Sequence, residues 1–136
     1  ETWRAPEAWA ERLESSLRQH GAVVTRGGDF DRWDLHARGG LFGGVIGHLA
    51  VEEHGAGKQF LRLGTRPRVA WPIAGIVVGS VLLGGFACAA EAWAAGGALF
   101  AVALSAGAFA ARDCAQAAGC WIKAAKTMRA DGSPLG

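Results

Sequence analysis

VAWPIAGIVVGSVLLGGFACAA, residues 69–90, and AWAAGGALFAVALSAGAFAA, residues 92–111, are separated by a single charged residue, Glu91. The first run is 22 residues long and the second 20, and neither contains a charge. As helices rising about 1.5 Å per residue, each is about 30 Å long, which is the thickness of a bilayer's hydrocarbon core. The pair predicts a helical hairpin that crosses a membrane twice. A soluble hairpin is the competing reading, but helices apolar on every side need cover on every side. The other 93 of the 136 residues are rich in turns and poorly suited to wrap them.

The two arms differ in strength. The first holds 11 strongly apolar residues between Val69 and Cys88. The second holds six, Trp93, Leu99, Phe100, Val102, Leu104 and Phe109, in a background of Ala and Gly. Alanine contributes little to insertion, so the second helix depends on packing against the first. Small residues spaced by four offer the surface, because they let two backbones approach closely. Helix packing is therefore expected at Gly75, Gly79, Gly84, Ala103 and Gly107. An Ala-rich composition with no specific seam reads the same way in one sequence.

Charge on the flanks sets the orientation. Lys58, Arg62, Arg66 and Arg68 lie upstream of the hairpin, and Arg112, Lys123, Lys126 and Arg129 lie downstream. The turn between the arms carries no cation, so the positive-inside rule predicts that both termini are cytoplasmic. Trp71, Trp93 and Trp121 lie near the span ends, where headgroup level suits the indole. The formal net charge of +2 is too small to support a nucleic-acid partner. The chain begins at Glu1 and its first 68 residues hold no signal-peptide core, which predicts a piece of a longer protein. Cys88, Cys114 and Cys120 form no C-x-x-C and have no nearby histidine, so they read as small helix residues in a reducing compartment.

Upstream of the hairpin, Pro6 to His20 reads as a helix, with proline at its first position and Gly21 as its stop. Trp9, Ala10, Leu13 and Leu17 make one narrow apolar stripe, suited to a helix laid on a small sheet. From Ala22 the period becomes two. Short strands are expected at 22–26, 33–38, 45–54 and 58–66, with Pro67 ending the last. Trp33, Leu35, Val45, Leu49, Val51, Leu61 and Leu63 form the inward face. Short connections make neighbouring strands antiparallel. The expected fold is α+β: one helix on a three- to four-stranded antiparallel meander, followed by a two-helix transmembrane hairpin. The organisation is a cytoplasmic domain at 1–68, the hairpin at 69–111, and a cytoplasmic helix extension with a disordered tail at 112–136. Residues 1–66 are expected to fold alone with low stability, because about 64 residues is near the limit for a single core. Phe42 and Phe60 do not fit the inward face and are candidates for an interaction surface, covered by a membrane or a partner.

No catalytic, cofactor or metal site emerges from the residues. Asp29-Phe30-Asp31 is an Asp-x-Asp, a pair that can hold a divalent cation on a sugar diphosphate. It sits in a Gly-rich turn, however, where Asp is favoured for local hydrogen bonding. Gly55-Ala56-Gly57-Lys58-Gln59 lacks the earlier glycine and the Ser or Thr of a phosphate-binding loop. Glu52, Glu53 and His54, with His36 and His48, match no known metal-ligand spacing. The arms contain no ionisable residue that could mark an ion path.

The segments Gly27-Gly28-Asp29-Phe30-Asp31-Arg32-Trp33-Asp34-Leu35, Arg38-Gly39-Gly40-Leu41 and Ala50-Val51-Glu52-Glu53-His54-Gly55 resemble a module of large bacterial membrane proteins. That module is appended, with two apolar helices behind it, to family 2 glycosyltransferases or to ABC-type exporters of glycans or lipids. The resemblance covers Trp9 to about Lys123 and transfers no catalytic residue. It implies a non-catalytic membrane-anchoring and interaction module at the bacterial inner membrane, with the bilayer and a partner domain or membrane complex as partners. Two other readings stay open: a small assembly or regulatory subunit of a membrane complex, and a fragment of a metal-dependent glycosyltransferase using Asp29 and Asp31.

Overall fold

Pro6 occupies the start of helix α1 (Pro6–Gln19), where its missing N–H has no helical acceptor to lose. The helix ends at Gly21, whose φ of +84° is open to glycine at no steric cost. The N–H groups of Gly21 and Ala22 donate back to Arg18 and Leu17 and satisfy the last carbonyls. In the computed structural model, which describes residues 5–28, 32–54 and 58–130, four strands follow. They are β1 (Val23–Arg26), β2 (Leu35–Arg38), β3 (Gly43–His54) and β4 (Lys58–Val69), then α2 (Trp71–Ala89) and α3 (Trp93–Ala130). The strands pair antiparallel in the order β1-β2-β3-β4. The fold is α+β with an apolar helical hairpin, as the sequence predicts.

Strand β4 runs through Pro67 to Val69, further than expected. It is an edge strand, where a proline without a donor is tolerated. Trp33 also departs from its expected place. Strand β2 begins only at Leu35, so strict alternation does not govern Trp33, and its half-buried ring meets His36 edge-on at 5.6 Å rather than entering the core.

After Arg112 the helix continues as expected, and what differs is where it packs. Helix α3 is continuous for 38 residues, about 57 Å. Its first half pairs with α2, and its second half lies beside α1 on the sheet. The meander is therefore covered by two helices rather than one. Ala117, Trp121, Ala124 and Met128 join Trp9, Leu13, Leu17, Leu35, Val45 and Leu61 in one buried core, with Leu49, Val51 and Leu63 packed at its margin. Trp121 is 4% exposed, so it is a core residue and not a headgroup anchor. Its ring lies so close to the sheet that a side chain at Gly47 would collide with it.

Polar contacts fix the two covering helices. The carboxylate of Glu14 accepts from Arg26 Nε of β1 and from Arg18, both at 2.6 Å. Trp9 Nε1 donates to the buried Gln59 on β4 at 3.1 Å. The Cys120 thiol donates to the His20 carbonyl at 3.3 Å, tying α3 to the end of α1.

Because four core residues come from 117–128, a chain cut after Arg112 is expected to lose cooperative unfolding. The 1–66 fragment, expected to fold alone with low stability, would lack half of its helical cover. Trp121→Ala in the full chain is expected to cost about 3–5 kcal/mol. Ile122→Ala, at an exposed neighbouring site, should stay within about 0.5 kcal/mol of wild type. Thermal unfolding of the three proteins in the same detergent checks the ranking.

Candidate functional site

The register of the sheet brings together residues that lie far apart in the chain. On its outer face, away from α1 and α3, Arg38 pairs with Gly44 and Gly44 with Arg68. Strands lie about 4.8 Å apart, so the two arginine backbones are about 10 Å apart with no side chain between them. The imidazole of His36 occupies part of that gap, and a Cβ on Gly44 would stand 2.9 Å from its Nε2. Two arginines thus flank one glycine that an imidazole lies against.

These residues line a cavity of about 300 Å³ where the sheet meets α2. Its lining combines His36, Arg38 and Arg68 with the apolar Leu41, Val69 and Trp71. Leu41 and Trp71 are 76% and 84% exposed. Among the described residues no carboxylate pairs with Arg38 or Arg68. Partial burial, then the charges of Arg68 and Arg38, hold the His36 pKa below its ordinary value of 6.5. The first turn of α2 contains no acidic residue, so the positive end of its dipole adds to the field.

Phe42 locks the geometry of this junction. Its carbonyl accepts from Ala70 N–H at 3.0 Å, just before α2, and its own N–H donates to Asp113 of α3 at 2.9 Å. Its ring packs against Phe109 with centroids 6.1 Å apart. Phe42 is thus engaged within its own chain at the base of the hairpin. Phe60 is 47% exposed and lies nine residues up β4 from Val69, about 30 Å along the strand. The structure therefore does not bring the two phenylalanines together on one surface.

The hairpin seam uses a subset of the small residues expected there. Gly84 lies 3.4 Å, measured from a Cβ built on it, from the Gly96 carbonyl and from Leu99. Ala103 is buried as well. A side chain built on Gly75, Gly79 or Gly107 meets nothing within 4 Å, so these three face away from the seam. Gly96, absent from the expected set, is the closest approach: a Cβ there would strike Cys88 Sγ and stand 3.0 Å from the Gly84 carbonyl. On α2 the four-spaced pair Gly84 and Cys88 meets Gly96, while the buried row of α3 has a period of seven: Gly96, Ala103, Ala110, Ala117 and Ala124.

Asp29 and Asp31 lie outside the described residues, as do the side chains of Glu53 and His54. Among the described residues no group of three or more His, Cys, Asp or Glu side chains comes together. The three cysteines are unpaired and separated: Cys88 at the hairpin seam, Cys114 beside Gly43, and Cys120 at the end of α1. Sequence reading missed the junction cavity. Alternation put His36 and Arg38 on one face, but Arg68 entered it only through the register of β3 with β4. No protein-family profile, curated protein or solved structure matches this chain.

The depressed His36 pKa has a pH consequence. Well above pH 6.5 the imidazole is neutral in both folded and unfolded chains and contributes nothing. As the pH falls through 6.5, the unfolded chain takes up a proton that the folded chain resists, so stability falls. Thermal unfolding at pH 7.5 and pH 5.5 is expected to show a larger acid loss in wild type than in His36→Asn.

Proposed function

We propose that this chain is a non-catalytic membrane-anchoring and interaction module of a larger bacterial membrane protein that handles polysaccharide or lipid. One observation carries the anchoring part. The two helices long and apolar enough to cross a membrane present their large side chains outward, with Leu82, Leu83, Phe86 and Leu104 all more than 60% exposed. In the most apolar window of α2 only 6% of residues are buried. A water-soluble chain does not expose contiguous apolar surface on that scale. A bilayer covers it on every side.

The sheet domain then sits against the cytoplasmic face of the inner membrane, with both termini on that side. Support comes from the cations on both flanks of the hairpin and their absence from its turn. Helix α3 makes the anchor and the domain one piece, because a single helix supplies the second span and half of the cover on the sheet. An anchored domain of this kind is held in one orientation to the bilayer, which suits a module that docks onto a neighbouring catalytic or transport domain. The link to glycan or lipid handling rests on the resemblance of residues 27–35, 38–41 and 50–55.

Cysteine accessibility tests the arrangement. In a background with Cys88, Cys114 and Cys120 replaced by alanine, Ala94→Cys is expected to react with an impermeant maleimide on intact cells. Ser15→Cys, exposed on α1, is expected to react only after permeabilisation. Labelling of Ala94→Cys from the cytoplasmic side alone would overturn the two-span arrangement.

A further inference from the structure

We propose that the junction cavity binds an anionic phospholipid, with its phosphate among Arg38, His36 and Arg68 and the first part of its acyl chains against Leu41, Val69 and Trp71. This rests on the anchoring of the hairpin in a bilayer.

The composition of the lining points to an amphiphile. Three nitrogen-rich side chains share it with three exposed apolar ones. A guanidinium presents paired donors that match two phosphate oxygens, and such charge-assisted bonds are stronger than neutral ones. Arg38 and Arg68 have no carboxylate partner among the described residues, so an incoming anion displaces no internal ion pair. Gly44 sets no side chain between the two arginines, and the His36 imidazole lies against it.

Position decides between sources of the anion. Trp71 is the first residue of α2, so the apolar part of the lining begins where the span begins, at the depth of the headgroups. Val69 and Trp71 flank the α2 N-terminus, and neither they nor Leu41 would have a role in holding inorganic phosphate. An acidic segment of a partner protein would meet the arginines but would leave Leu41 and Trp71 in lipid. The cytoplasmic leaflet carries a negative surface potential, and a basic side chain near it adds roughly fivefold to binding.

A neutral His36 would be drawn toward its protonated form by a phosphate beside it. The charged groups facing it are Arg38 on its own strand and Arg68 on β4, while β1 and β3 present Thr25 and Ile46. Lipid retention should therefore strengthen as the pH falls from 7.5 to 5.5.

The test uses the full chain in detergent, titrated with phosphatidylglycerol or phosphatidylcholine and read by native mass spectrometry. Wild type is expected to prefer phosphatidylglycerol by roughly 25-fold, about fivefold per arginine. Arg38→Gln with Arg68→Gln should abolish the preference. Arg62→Gln, six residues and about 20 Å further along β4, should keep it. An equal preference in the double variant, or no preference in wild type, overturns the proposal and leaves the cations to an acidic protein surface. Displacement of phosphatidylglycerol by millimolar inorganic phosphate also overturns it, because the cavity is then a small-anion site. Alkaline extraction of wild type from pure phosphatidylcholine vesicles reads the anchoring separately. Loss from those vesicles sinks the anchoring, whereas retention without lipid preference sinks only the cavity assignment.

Discussion

The architecture depends on one close approach, that of helix α3 to whatever lies beneath it. Gly96, Ala103, Ala110, Ala117 and Ala124 recur every seven residues and are all buried. A seven-residue repeat drifts only about 20° per turn of the pattern, or about 80° over these four intervals, so the stripe stays on one side of the helix. Its first members face α2 and its last members face the sheet. Small side chains let the backbone come near both, and the matching positions are again small: Gly84 under the hairpin, and Gly39, Gly43 and Gly47 under the sheet-packed half. At Gly43 a Cβ would stand 2.7 Å from Cys114 Sγ and 2.9 Å from the Ala110 carbonyl.

Close approach by alanine and glycine buries little apolar area per residue, so the packing energy of the sheet-covering half comes from elsewhere. Trp121 and Met128 project between the small residues and account for most of the apolar bulk that α3 adds to the core. Burying a large side chain contributes roughly 1.5–3 kcal/mol. The hairpin half has no equivalent. Val78, Leu82, Leu83, Phe86 and Leu104 point outward, and its seam relies on close backbones at Gly84 and Gly96 with Leu99 and Phe100 against Gly84. One helix therefore follows two packing rules, each suited to a different surrounding.

Continuity of α3 also fixes the domain relative to the hairpin. The clasp at Phe42, bonded to Ala70 before α2 and to Asp113 on α3, closes a small triangle of sheet, α2 and α3. Rotation of the sheet about the hairpin would break both hydrogen bonds and the Phe42–Phe109 contact. The outer face of the sheet, with Arg38 and Arg68 at its base, is thereby held at a constant height and angle to the apolar helices. A cavity made of residues from β2, β4 and the start of α2 can keep its shape only under that constraint.

From the amino-acid sequence alone, the hairpin, helix α1 and the antiparallel meander were all legible, because each rests on local signals. Uncharged length marks the hairpin, Pro6 and Gly21 bracket α1, and alternation at Leu35, Ala37, Val45 and Leu61 marks the sheet. The helix after Arg112 was legible as an extension, but its packing was not: only the tertiary structure shows that Ala117, Trp121, Ala124 and Met128 share one buried side. The seam was legible only in part, at Gly84 and Ala103, since spacing by four and by seven are both small-residue rows until a partner helix chooses one. The cavity was hidden most completely. Arg38 and Arg68 are 30 positions apart, and no local pattern sets the register that places both beside Gly44. Periodicity and length are properties of a segment, so the sequence determined the elements. Register, seam and shared cover are properties of pairs of segments, and those only the tertiary structure decided.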